Sequence, residues 1–136
     1  MRKTLFLVLL FPLFGVSQHT LTVHVENIKT ADGKVSVALY NTEDGFLKFD
    51  RVFTSNTATT KKDTTAVVLK DLPAGTYAVA AFHDENANDA LDTNFFGIPK
   101  EPVGFSNAKM KTFGPPSFKE CSFKIEGDKE LKVRVK

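Results

Sequence analysis

The sequence predicts an all-β fold, an antiparallel β-sandwich of about seven strands with one long ordered loop. Three observations lead there. Apolar and polar residues alternate with period two in run after run beyond residue 17. No apolar pattern at helical spacing extends for ten residues there. Gly, Pro, Asn and Asp collect between the alternating runs, where a chain of short strands must turn.

The elements follow in order. Leu21, Val23 and Val25 alternate with Thr22, His24 and Glu26, and Val35, Val37 and Leu39 alternate with Ser36, Ala38 and Tyr40. Ala31-Asp32-Gly33 lies between the two runs, with Gly33 free to take positive φ, so they read as an antiparallel hairpin. Residues 41–63 are polar with scattered Phe46, Phe49 and Phe53 and read as a loop with one helical turn. Thr65–Leu69 is a β-branched strand. Thr76–His83 is apolar on both faces, as a central strand should be. Cys121–Ile125 and Glu130–Val135 read as a closing hairpin around Glu126-Gly127-Asp128. Cys121 shares the apolar face of its run with Phe123 and Ile125, which marks it as a small buried hydrophobe. Tyr77 opens a strand just after the Leu72-Pro73-Ala74-Gly75 corner. In immunoglobulin-like sandwiches such a Tyr folds its hydroxyl back onto upstream backbone. The same layout occurs in transthyretin-like and carboxypeptidase-regulatory-like modules.

Length and composition bound the rest. The chain has 136 residues, enough for one domain, and is 42% hydrophobic and 25% charged, a globular composition. A single Cys excludes a disulfide framework and a multi-Cys zinc site. Residues 1–17 have the order of a signal peptide: Arg2 and Lys3, an apolar run from Leu5 to Phe14, then small Gly15 and Ser17. The run is about half the length of a membrane-spanning helix. Cleavage is expected after Ser17 or Gln18, leaving a single domain over 18–136 that works in the periplasm or outside the cell. No Cys follows the apolar run, which argues against a lipid anchor. Without Arg2 and Lys3 the chain carries 16 basic and 16 acidic residues, and that balance excludes a sequence-nonspecific nucleic-acid binder.

Residues 84–118 break the pattern. They hold four of the six prolines, three glycines and five phenylalanines, and show neither periodicity. Long excursions of this kind in compact domains are often functional, and the phenylalanines predict that this one is fixed to the body.

The sharpest chemical pattern opens that excursion. Oxygen-bearing side chains recur at Asp84, Asn86, Asn88 and Asp92, the 1, 3, 5, 9 spacing of a calcium loop, with Ala90 placed to offer its carbonyl at position 7. Calcium takes six to eight hard oxygens, and alternating Asp and Asn on a tight turn can aim them at one centre. Two positions depart from the pattern. Position 6 is Asp89 instead of Gly, and position 12 is Phe95 instead of a bidentate Glu, for which Glu85 or Glu101 would have to substitute. Competing with calcium is a solvated turn of Asp and Asn that caps a strand.

His83, Glu101, Phe105, Ser106 and Asn107 are the candidate ligand-binding residues, being polar or aromatic groups in packed surroundings. The competing account is hydrogen bonding within the loop. His83 with Asp84 and Ser106 would be needed for a small hydrolase, and His19 with His24 and His83 for a copper site. Gly104-Phe105-Ser106-Asn107 is not a nucleophile elbow, because no Gly stands two residues after Ser106.

Three stretches together resemble a bacterial secreted family, domain of unknown function 2141. They are GKVSVALYNTEDGFL, LPAGTYAVAAFHDENANDALDTNFFGIPKEPVGFSN and FGPPSFKECSFKI, and the likeness spans about residues 20–136. His83-Asp84, Gly97-Ile98-Pro99, Glu101-Pro102 and Gly104-Phe105-Ser106-Asn107 occur in the family's order. The chain departs from it at Ala87–Ala90, where relatives resemble Asn-Gly-Asn-Gly-Lys-Leu-Asp. The resemblance implies a small secreted or periplasmic sandwich and no assigned activity. The expected function is a non-enzymatic binding or structural module that presents residues 84–118 to an extracellular or envelope protein or glycan. Calcium binding at 84–92 is the first alternative, and a small hydrolase or copper protein the second.

Overall fold

A computed structural model describes Gly15 and residues 17–136. Apart from Gly15 and Ser17, the expected leader lies outside the described residues. No described helix is long and apolar enough to cross a membrane. Eight strands form the body: β1 (Gln18–Ile28), β2 (Lys34–Tyr40), β3 (Thr54–Thr59), β4 (Asp63–Pro73), β5 (Gly75–Asp84), β6 (Val103–Phe105), β7 (Phe123–Ile125) and β8 (Lys129–Arg134). One short helix, α1 (Phe118–Cys121), precedes β7.

Two sheets face each other. One has the order β4-β1-β8 and the other β3-β2-β5-β6, with β7 also pairing β5. The inward members of the alternating runs meet between them. Leu21, Val23 and Val25 of β1 and Val67 and Leu69 of β4 pack against Val35, Val37 and Leu39 of β2 and Val79 of β5. Burial of these branched side chains, at roughly 25 cal/mol per Å² of apolar area, supplies the main drive for joining the layers. A smaller apolar cluster covers the outer face of the larger sheet, where Ala78, Phe105 and Cys121 are joined by Phe46 and Phe118.

Four sequence expectations change here. β1 and β2 lie in different sheets, so the 29–33 turn crosses between layers instead of closing a hairpin. Period-two alternation fixes which face is buried but not which strand lies alongside. β7 pairs β5, whereas β8 pairs β1 in parallel, so the last two strands also cross between sheets. The 41–63 segment holds the expected helical turn, a 3-10 turn at Phe49–Arg51, and also β3. The Thr54–Thr59 sequence TSNTAT gave no alternation because β3 is an edge strand with few buried side chains. Cys121 ends α1 instead of lying in a strand, and is fully buried as expected. Burial pushes its thiol up to about 11, so it stays protonated at neutral pH.

The corner tyrosine is present. The Tyr77 hydroxyl donates to the Pro73 carbonyl at 2.7 Å from a buried ring. Tyr77→Phe is expected to cost about 1 kcal/mol in urea denaturation, the net worth of one buried hydrogen bond.

The 84–118 excursion is tied down along the free edge of β5. β6 pairs with Ala80–Phe82 and β7 with Gly75–Tyr77. Ser106 fills the gap between them: its Oγ accepts from Val79 N at 2.9 Å and donates to the Cys121 carbonyl at 2.6 Å. The C-terminal Lys136 exchanges backbone bonds with Val103. α1 is closed by a capping box between Ser117 and Glu120. Its hydrogen bond from Lys111, then those from Ser117, hold the Glu120 carboxyl down at about 2. A depressed acid stabilises the fold above its unfolded value of about 4.5 and loses that contribution as pH falls through the folded value. Protection of the Ser117 amide should therefore fall between pH 4.5 and 2 in the native chain. In Glu120→Gln that pH dependence should be absent.

Candidate functional site

The candidate site is the end of the sandwich where the chain leaves β5. Inward positions on β5 run Tyr77, Val79, Ala81, His83, so His83 sits at the rim of the core and is only 1% exposed. Its Nε2 lies 2.7 Å from the Asp32 carbonyl oxygen in the β1–β2 turn. A carbonyl only accepts, so Nε2 carries a hydrogen and donates it to Asp32. Nδ1 has no hydrogen-bond partner among the described residues and faces Glu85 Oε1 at 3.9 Å.

Asp84 is fully buried, and its carboxylate organises the loop that follows. Oδ1 accepts from Asn88 N at 3.1 Å and Oδ2 from Asp89 N at 2.9 Å. Asn86 Oδ1 accepts from Asn88 N, and Asn88 Oδ1 from Ala90 N. These are successive Asx turns, in which a side-chain oxygen replaces the next backbone acceptor. The amides of Asn86 and Asn88 both donate to the Asp92 carboxylate, at 2.6 and 2.9 Å. Ala87 and Asp89 take φ of 54° and 66°. Asp89 also pairs with Lys34 of β2.

Glu101 closes the loop from below. Its buried carboxylate accepts from Glu85 N and from Asp92 N, each at 3.0 Å, and so joins the loop's two ends. Sequence reasoning selected Glu101 for ligand contact, whereas both of its oxygens bond the chain's own amides.

Beyond Asp92 the chain makes a second tight turn. Asn94 Oδ1 accepts from Phe96 N and Ile98 N, Gly97 N donates to the Asn94 carbonyl, and Gly97 takes φ of 78°. Thr93 and Pro99 pair across the base. The turn holds Phe95 at 97% exposure, Phe96 at 83% and Ile98 at 58%. The two rings meet edge to face at 5.6 Å. Sequence reasoning expected the excursion's phenylalanines to pin it to the body, whereas only Phe105 and Phe118 pack there and Phe95, Phe96 and Phe113 stand exposed. The signal was there: Asn94 and Gly97 bracket two aromatics, a tight-turn pattern that leaves its middle residues outside.

The remaining candidates do not join this end as one surface. Phe105 and Ser106 are buried beside Cys121, and Asn107 donates its amide to the Ser122 carbonyl. The hydrolase grouping is not assembled: Asp84 binds loop amides, Ser106 bridges Val79 and Cys121, and His83 binds Asp32. The three histidines are likewise apart. His19 lies opposite Leu72 in the β1–β4 ladder, while His24 meets Glu130 at 3.1 Å. No group of three or more His, Cys, Asp or Glu side chains among the described residues is already arranged around a metal position.

Between the β1–β2 turn and this loop lies an open depression of about 650 Å³. Asp32, Glu85, Asp92 and Glu101 line it with four carboxylates, against the single cation of Lys100. The field there favours a positively charged occupant.

The family described as "Uncharacterized protein conserved in bacteria (DUF2141)" matches residues 23–134, nearly the whole described chain. The chain belongs to DUF2141. Every element of the candidate end, from the β1–β2 turn to Glu101, lies inside the DUF2141 match. No curated protein and no solved structure matches the chain.

Proposed function

We propose that this DUF2141 protein is a non-enzymatic binding module of the periplasm or cell exterior, and that its contact surface is the sandwich end formed by residues 85–102. The supporting observation is the turn at 94–98. Two aromatic rings and an isoleucine stand in solvent on a backbone fixed by Asn94 and the Thr93–Pro99 pairing. Exposed aromatics on a rigid scaffold add large contact area on binding with little ordering cost. The partner that fits is a protein with an apolar groove for Phe95 and Phe96. A photo-crosslinking amino acid at position 96 in cells tests this, with the same group at Thr57 on β3 as the control. The proposal expects one discrete adduct from position 96 and none from position 57. Adducts no stronger at 96 than at 57 would overturn it.

A second reading, calcium at 84–92, is favoured by the backbone of the loop. Asp89 holds at position 6 the left-handed conformation that calcium loops ordinarily give to Gly. Asn86 and Asn88 already converge on Asp92. Rotation of the two amides would turn their oxygens toward an ion shared with Asp84, Asp92 and the Ala90 carbonyl. At the millimolar to submillimolar affinity of extracellular sites, 10 mM calcium would add ~1.4–2.7 kcal/mol. The wild-type Tm should then rise by about 5–10 °C over its value in chelator. Asp92→Ala should show no such rise. An unchanged wild-type Tm would exclude this reading and leave the first intact.

A further inference from the structure

We propose that the turn at 111–114 docks the protein on the surface of an anionic phospholipid bilayer, with Phe113 entering the headgroup layer and Lys109 meeting the phosphates. Phe113 stands wholly in solvent, and Met110 is exposed on the same loop. A protruding ring with cations at its base suits a boundary where apolar chains lie under charged headgroups. Such a boundary needs no shape match, so a projecting tip binds it without a groove. The inference is independent of the contact surface at 85–102.

The backbone holds the ring in that position. Lys111 and Gly114 pair across the turn, with Lys111 N donating to the Gly114 carbonyl at 2.8 Å, which leaves Thr112 and Phe113 at the tip. Both stems of the loop are anchored to the body. On one side Asn107 donates to the Ser122 carbonyl, and Ala108 packs on the cluster of Phe105 and Cys121. On the other Pro116 is buried, and Phe118 meets Phe46 edge to face at 5.8 Å. A ring already fixed outside the body has little freedom left to lose on binding.

Charge selects the kind of surface. Residues 107–120 carry three lysines against Glu120 alone, a net charge of +2. Lys111 pairs with Glu120 at 2.7 Å, so Lys109 and Lys119 make up the excess. Asp44 of the adjoining 41–53 loop is engaged by Lys48 and Arg51. Residues 84–101, by contrast, carry five acidic side chains and one lysine. Anionic headgroups are therefore drawn to the Phe113 turn and repelled from Phe95 and Phe96. A lysine stem lies along apolar surface while its ammonium stays in water, so Lys109 can hold phosphates with Phe113 immersed.

Cosedimentation with unilamellar vesicles tests the surface, using residues 18–136, which hold all eight strands without the apolar leader. One set of vesicles is phosphatidylcholine, and the other is equal parts phosphatidylcholine and phosphatidylglycerol. The wild-type chain should partition onto the anionic set and not measurably onto the neutral one, and ~0.5 M sodium chloride should release most of it. Lys109→Ala should lower the partition coefficient about fivefold. Phe113→Ser, at a fully exposed position that leaves folding intact, should lower it about tenfold. Lys70→Ala, at an exposed position on β4 of the other sheet, should leave it unchanged. No partition onto the anionic vesicles, equal partition onto both sets, or equal losses in Lys70→Ala and Lys109→Ala would each overturn the proposal. So would undiminished partition of Phe113→Ser, the mark of a surface for soluble anions. None of these results bears on the Phe95–Phe96 contact surface.

Discussion

Gly33→Ala is expected to destabilise the protein by about 3 kcal/mol or more. Gly33 has φ of 67°, a conformation that strains any residue with a side chain. Space is the larger obstacle. An added Cβ would lie 2.7 Å from the Glu85 carbonyl oxygen and closer still to that of Asp84. Both obstructions are backbone, so relief requires the β1–β2 turn to move away from the end of β5. That movement also pulls the Asp32 carbonyl from His83 Nε2 and leaves a buried imidazole without either partner. Gly127→Ala is the control, since nothing lies within 4 Å of its added Cβ. It should stay within about 0.5 kcal/mol of wild type. Urea denaturation of the two variants measures the difference.

Asp84→Ala should cost about 2–3 kcal/mol. The carboxylate has no exposure and accepts two backbone N–H bonds, and such charge-assisted bonds are each worth more than neutral ones. Alanine removes both acceptors, so the positive-φ conformations of Ala87 and Asp89 lose what holds them. Asp84→Asn keeps one acceptor and should fall between wild type and Asp84→Ala. Chemical denaturation gives the ordering. Amide exchange at Asn88 and Asp89 should rise in the same order, because the damage begins in the loop.

Much of the body was legible in sequence because burial writes itself as alternation. Val35, Val37 and Leu39 are buried exactly where period two puts them, and Tyr77 makes the corner bond that its place after Pro73 and Gly75 implies. Pairing was not legible. Leu21–Val25 and Val35–Leu39 present the same pattern whether they lie side by side or face each other across a core, and only the tertiary fold decides. β3 was missed for a related reason: Ser55, Asn56 and Thr57 are exposed, so no apolar face marked it.

At the candidate end, residue type announced chemistry but not direction. Glu101, Ser106 and Asn107 looked available, yet each is spent on the chain's own backbone. A polar side chain in a long loop has many unpaired amides and carbonyls near it, and satisfying those competes with reaching outward. Gly33 and Asp32 were read as a simple turn, although their second role is to seat His83. That contact spans 51 residues and has no local signature.

The account depends on residues 85–102 being a fixed display surface, and native-state amide exchange measures that most directly. The amides of Glu85, Asn88, Asp89, Asp92 and Ile98, each bound to a side-chain carboxylate or carboxamide oxygen, should exchange far more slowly than in an unstructured peptide. Exchange of all five at unstructured rates, while β1 and β5 stay protected, would contradict it.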